Sequence, residues 1–309
     1  MKNNNPKYAF YYLLSLVALI FMAIFSAVIV FHIIDKSIYD ALSMVDSYNN
    51  QSLLRFAISA LLISSPVFFV CANIINQGLK RGILDKDSLL RNWLTYFILA
   101  VSAVVILGSI IGVINDFLSG EMTFKSILKL LVVILISALV FSFYLYDIKR
   151  EKISKKDNVI RIFFGISLVL VTAIFVSAWF FVDSPKVARE RKVDNILLNN
   201  IYSMESYINN YYDENATLPE DLVVLKENLM GNNFDDKIFR DPLTNQEIEY
   251  NKKGDKDFEL CANFRTDSYE SERNRSYPVY MNDGTKVYVK GWNCFEGNLW
   301  NDDNLIEKR

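Results

Sequence analysis

His32 and Asp35 stand three residues apart, close enough on one helical turn to share a proton or a metal ion. His32 is the chain's one histidine, so no multi-ligand cluster can be assembled around it, and an interfacial histidine beside a polar loop is the better reading. A second set is acidic. Glu247 with Glu249, and Glu270 with Glu272, are spaced as paired carboxylates for acid–base work, but on an acidic surface such pairs are solvated charge. Residues 183–309 contain no histidine, no Gly-x-Ser-x-Gly elbow, no phosphate-cradling glycine loop and no Cys-x-x-Cys. Hydrolase, nucleotide-binding and redox readings therefore lack their parts. The expectation is a protein that is not an enzyme and needs no cofactor or metal. Three cysteines remain, Cys71, Cys261 and Cys294, and their chemistry depends on which compartment each occupies.

The elements that decide this are apolar helices. The chain is 309 residues long and 52% hydrophobic, with a mean hydropathy of +0.17, but the average conceals two unlike halves. Residues 1–182 carry 16 basic and 10 acidic side chains; of the 33 and 35 in the whole chain this leaves 17 basic and 25 acidic, a net charge of −8, for residues 183–309. In the first half five apolar runs reach the roughly 20 residues that a helix needs to cross a bilayer: near Tyr8–Ile34, Leu53–Ile75, Trp93–Ile114, Ile127–Tyr146 and Val159–Val182. Helices are the open-ended elements a bilayer tolerates, because lipid offers no partner to an unpaired N–H or C=O. The first run is longer than a signal-peptide core of roughly 7–15 residues and lacks a small-x-small cleavage site, so an uncleaved span is expected.

Charge orients these spans. Lys2 and Lys7 precede the first; Lys80, Arg81, Lys86 and Arg91 lie between the second and third; Lys149, Arg150, Lys152, Lys155, Lys156 and Arg161 surround the connection from the fourth to the fifth. The other connections carry Asp35, Asp40 and Asp46, then Asp116 and Glu121, with Lys36 and Lys125 in their interiors. The positive-inside bias then puts the N-terminus in the cytoplasm and residues 183–309 outside the plasma membrane. No span has an ionisable group at its centre, which weakens a transporter reading. Ser64-Ser65-Pro66 and Asn73 in the second span could mark a broken, ligand-binding helix, but a tolerated kink with Ser hydroxyls satisfying local carbonyls is the commoner arrangement. Gly108 and Gly112 in the third span read as packing, within or between subunits, and Gly165 in the fifth as helix packing.

The runs YAFYYLLSLVALIFMAIF, LLISSPVFFV, GVINDFLSGEMTFKSILKLLVVILI and YLYDIKRE resemble the bacterial four-helix membrane domain of unknown function 5671 over residues 8–150. That resemblance implies an order and spacing of four helices and brings no activity with it.

The polar half opens with Ser184-Pro185, a helix N-cap followed by a proline at the first helical position. Val193, Leu197, Ile201, Met204, Ile208 and Tyr211 then recur at helical spacing, a stripe that should cover the domain's own sheet. Thr217 and Glu220 have capping-box spacing for a short second helix. Ile248 and Tyr250, then Phe258, Leu260, Ala262 and Phe264, alternate with polar residues around a Lys253-Gly254 turn, predicting a hairpin. A second hairpin is expected from Tyr277–Met281 and Thr285–Lys290 about Asp283-Gly284. The stretches ARERKVDNILLNNIYSMESYINNYYDENATLPEDL, DPLTNQEIEY and FELCANF are similar to the globular part of the type II secretion pseudopilins over residues 186–264. Gly165 to Leu170 imitate a pilin leader junction, but Leu170 stands where the assembly glutamate belongs, so processing and polymerisation are not expected. The resemblance implies a calcium site at most, with Asp283, Asp302 and Asp303 as loop donors, although no EF-hand spacing is present.

The cysteines can now be placed. Cys71 lies in the second span and should stay a free thiol. Cys261 points with Glu259 and Asn263, away from the apolar face of its strand, and Cys294 is the other exported cysteine. An oxidising exterior favours a Cys261–Cys294 disulfide over two separate buried thiols. The sequence thus predicts a membrane all-α bundle of five transmembrane helices plus a small extracytoplasmic α+β pilin-like domain. Residues 1–150 form the four-helix membrane domain, 151–183 the cytoplasmic loop and fifth helix, and 184–309 the exported domain. The expected role is a non-enzymatic interaction or structural component of the cell envelope, in contact with the lipid bilayer and an envelope protein partner. The net charge of −8 argues against nucleic acid. The alternative is a small-solute transporter or channel with an exported accessory domain, which a polar cavity between the second and third spans would favour. A sensing receptor would need a cytoplasmic output domain that the inside loops are too short to hold.

Overall fold

The computed structural model describes residues 6–38, 51–84, 88–120, 122–149, 158–229, 235–268 and 286–299. The chain divides into two units, Met1–Val182 and Asp183–Arg309.

The first unit is helical: α1 (Pro6–Ser37), α2 (Gln51–Lys80), α3 (Leu89–Leu118), α4 (Phe124–Lys149) and α5 (Asn158–Ala178). Each is long and apolar enough to cross a membrane. Helix α1 packs against all four others, with α3 against α4 and α2 against α5 completing the bundle. Its core is built where α1 meets α2, with Ile29, Leu54, Ala57 and Leu61 fully buried. Elsewhere large apolar side chains point outward, among them Leu62, Val104, Ile111, Leu135, Ile162 and Val169. Such a surface would aggregate in water and matches the medium inside a bilayer. Helix α2 runs through Pro66 without a break, and the Ser65 hydroxyl donates to Leu61 O. A Cβ added at Gly108, Gly112 or Gly165 would meet nothing within 4 Å, so among the described residues these positions make no close approach within the chain; packing between subunits is the part of the reading that stands. The tight position is Gly78, where a Cβ would lie 2.9 Å from Leu84 and 3.0 Å from Tyr8.

The second unit opens with α6 (Pro185–Asn215), capped by Ser184, whose side chain accepts from Val187 N. Helix α6 ends at Ala216, which adopts a left-handed φ of 57°. The capping box does not form. Leu218 is buried in the core, the residue before a proline is driven to extended backbone, and α7 (Leu222–Leu229) is instead capped by Asp221 through Val224 N at 2.9 Å. A 3-10 turn (Asp236–Phe239) leads to a three-stranded antiparallel sheet in the order β1 (Glu249–Lys252), β2 (Asp257–Phe264), β3 (Gly291–Asn298). Leu197, Ile201, Met204 and Ile208 of α6 join Phe258, Leu260, Ala262 and Phe264 of β2 in one core. Full burial contributes roughly 1.5–3 kcal/mol for each such side chain.

The hairpin about Lys253-Gly254 is present, with both amides donating to Asp257 O. The second predicted hairpin is not where the sequence placed it. Residues 286–290 are not strand, and β3 lies further on. Residues 277–281 and the Asp283-Gly284 turn fall outside the described residues. So do Glu270, Glu272, Asp302, Asp303 and the loop charges Lys2, Asp40, Asp46, Lys86, Glu121 and 150–156.

Candidate functional site

At the end of the bundle where α1 begins, all five helices line a cavity of about 70 Å3, enough for about two waters or a solute of that size. Its polar wall is Tyr12, Asn76, Arg91, Thr95, Tyr144 and Asp147. Arg91 corrects the sequence reading, which assigned it to a basic loop. It sits in the first turn of α3 at 3% exposure, and its Nη2 donates to Asp147 Oδ2 at 2.6 Å and to Asp147 O at 2.8 Å. Apolar Leu94 and Ile98 continue α3 below it, so that Arg91 faces inward with them. The charge of a buried arginine needs such a partner. Asn76 Oδ1 is buried with no hydrogen-bond partner among the described residues, leaving an acceptor for a guest with an N–H or O–H to donate. Sequence reading singled out Asn73, which is exposed, and passed over Asn76 one turn on. The cavity does reach between the second and third apolar helices, through Asn76 and Thr95.

At the opposite end, the Asp35 side chain is 5% exposed and is met by two lysines. Lys125 Nζ lies 3.0 Å and Lys129 Nζ 2.6 Å from its Oδ1. Lys125, expected inside a loop, belongs to α4 and is buried. These pairs fasten α4 to α1 at one end and to α3 at the other.

In the second unit, Cys261 and Cys294 face each other across β2 and β3 and are joined by a disulfide. Their Cα atoms are 4.0 Å apart. Cys261 is buried and Cys294 exposed, on the face away from the core. Glu259 lies beside them with potential metal donors within 4.8 Å of one another, but sulfurs bonded to each other offer no thiolate to a metal. Cys71 is buried in α2 as a free thiol.

Sequence reading missed the unit's main polar network. Asp194 of α6 is fully buried and accepts from Arg265 N (3.1 Å to each oxygen), Thr266 N (2.8 Å), Thr266 Oγ1 (2.7 Å) and Arg265 Nη1 (3.4 Å). Arg265 Nη2 also donates to both oxygens of Asp241, at 2.8 and 2.9 Å. Burial works to raise the Asp241 pKa, but hydrogen bonds from Arg265, Thr244 N and Leu243 N outweigh it and hold the carboxyl below its ordinary value. Burial, with the charge of Glu220 behind it, pushes Tyr250 up to about 12; its hydroxyl donates to Pro219 O at 2.9 Å. Glu247 and Glu249 do not converge as a catalytic pair: Glu247 is bound by Lys226, while Glu249 accepts from Asn251 Nδ2. This network fastens helix to sheet.

Residues 9–144 match the family model described as a domain of unknown function, DUF5671. The match runs from α1 into α4 and includes every polar cavity residue except Asp147. Neither a curated protein nor a solved structure matches the chain.

Proposed function

We propose that this chain is a multi-pass plasma-membrane protein whose five apolar helices hold a pilin-like α+β domain on the extracytoplasmic side, as a non-enzymatic interaction or structural component of the cell envelope. The carrying observation is the Cys261–Cys294 disulfide in a unit that follows five apolar helices among the described residues. Disulfides persist where the compartment is oxidising. The alternation of basic and acidic connections supports the same orientation. The pilin-like reading is supported by a long capped helix, a short second helix and an antiparallel sheet in that order.

Reporter fusions test the orientation. Fusions after Lys86 and Lys155 should report cytoplasm, and fusions near Asp46, Glu121 and Tyr250 should report exterior. A cytoplasmic report at Tyr250 would overturn the envelope role.

A second reading, a small-solute transporter or channel, draws on one observation: the cavity walled by Asn76, Arg91, Thr95 and Asp147. If it holds, Asn76→Leu abolishes solute movement across reconstituted vesicles while leaving the fold intact. Unchanged movement in that variant removes the reading.

A further inference from the structure

A second cavity, about 250 Å3, opens between α1 and α3 with α4 as its floor, and its lining is apolar apart from Ser102 and Ser137. The Ser102 hydroxyl is already spent on Ile98 O at 2.8 Å. Nothing in this groove would hold water, and apolar cavities of this kind stay dry until an apolar guest enters. Its depth is informative. The lining spans residues 16–27 of α1, 97–105 of α3 and 133–140 of α4, the middle third of each helix, where a spanning bundle meets hydrocarbon. Small residues make the recess: Ala23 and Ala27 on α1, Ser102 on α3 and Ser137 on α4. On the neighbouring outward faces Val104, Ile111 and Leu135 project instead.

The groove also leads to a cation. On α4 the stripe Val140, Ser137, Val133 continues at helical spacing to Lys129, and on α1 Ala27 continues to Phe31. Lys129 Nζ lies 5.8 Å from the centre of the Phe31 ring, and its side chain keeps 29% exposure while paired with Asp35. Lys125, nearly buried, shares the same carboxylate. In the Asp35, Lys125 and Lys129 group two cations thus meet one carboxylate, with Lys129 the more exposed of the two, at the rim of an apolar slot.

We infer that this groove is a phospholipid site, one acyl chain lying between α1 and α3 with the lipid phosphate at Lys129. The inference rests on the membrane-spanning reading. It commits to a lipid of the leaflet that contacts the C-terminal end of α1.

The test uses the full chain in phosphatidylcholine vesicles containing a small fraction of phosphatidylglycerol with a photoreactive diazirine midway along one chain. After illumination, labelled positions are mapped by peptide mass spectrometry. The site predicts labelling concentrated on Ala23, Ala27, Ser102 and Ser137 over exposed Val104, Ile111 and Val169. Filling the slot with Ser137→Leu should reduce groove labelling to the level of those exposed faces. Lys129→Gln, which leaves Lys125 on Asp35, should lower it by about fivefold, the effect of about one lysine's attraction for an anionic lipid. Equal labelling of groove and exposed faces would overturn the site while leaving the membrane reading standing, as would a Ser137→Leu variant that labels like the parent. Absence of lipid labelling on all five helices would overturn both.

Discussion

In the helical unit, Asp35 and Asp147 are met by lysine and arginine side chains from other helices, whereas in the α+β unit Asp194 is met chiefly by backbone and side-chain donors of one strand exit. The apolar surfaces differ in the same way. Helix α6 fully buries Leu197, Ile201, Met204 and Ile208 of its stripe, while α3 leaves Val104, Leu107, Ile111 and Phe117 open along its second half. On the proposed membrane placement, one physical difference accounts for both. In water, burying apolar area drives assembly, so the α+β unit closes a core and tolerates a buried carboxylate that is fully hydrogen-bonded. Between helices in lipid that drive is missing, since the tails are as apolar as the side chains. Register must then come from close packing and from charges at the helix ends, where Asp35 and Arg91 sit.

Removing Asp194 should have the largest effect. Asp194→Ala leaves the backbone N–H groups of Arg265 and Thr266 and the Thr266 hydroxyl without their acceptor, while the Arg265 guanidinium keeps Asp241, and should destabilise the α+β unit by about 3–5 kcal/mol, seen as early cleavage of residues 183–309 in limited proteolysis of the full chain. Arg91→Gln should cost about 3 kcal/mol in the helical unit, because Asp147 loses its cation. Detergent-resistant unfolding followed by circular dichroism would show it, and the α+β unit's proteolysis pattern should not change. If both variants loosened both units, the separation drawn here would fail.

Smaller changes sharpen it. Gly297 lies opposite Phe258 in the strand register, and a Cβ there would sit 2.2 Å from the ring. Gly297→Ala should therefore destabilise by about 1–3 kcal/mol through overpacking, measured as a shift in the denaturant midpoint. Asp241 predicts an acid limb. Its folded pKa lies below its ordinary value of 3.8, so its contribution is present above that value and is lost as the pH falls through the folded pKa. Asp241→Asn should flatten the stability profile below about pH 4; a variant with the parent's profile would show that the Arg265 pairing carries no such linkage.

The spans and α6 were legible because their signals are local: a run of sufficient length, or a repeat of three and four along Leu197, Ile201, Met204 and Ile208. The hairpin about Lys253-Gly254 was legible through alternation. Strand β3 was not, because its register inverts the usual pattern. Its positions on the core side include Gly297, roofed by the Phe258 ring, while Trp292 is exposed. Asn293 adds to the disguise by folding back on Val289 and Gly291, so the stretch looks like a loop. The cavity was illegible for another reason. Arg91 meets Asp147 56 residues away and Asp35 meets Lys125 with two helices between them in the chain, and neither spacing leaves a trace in a single sequence. Asp194 escaped notice between two apolar positions of the α6 stripe, where it resembles any polar interruption.

The central claim is that an oxidised α+β unit stands outside the membrane that its helices span. Thiol alkylation of membranes prepared under denaturing conditions, with and without reductant, reads it directly. The account predicts that Cys71 alone labels before reduction and that Cys261 and Cys294 label only afterwards. Labelling of both Cys261 and Cys294 before reduction would contradict the disulfide in the cell and, with it, the outward placement of residues 183–309.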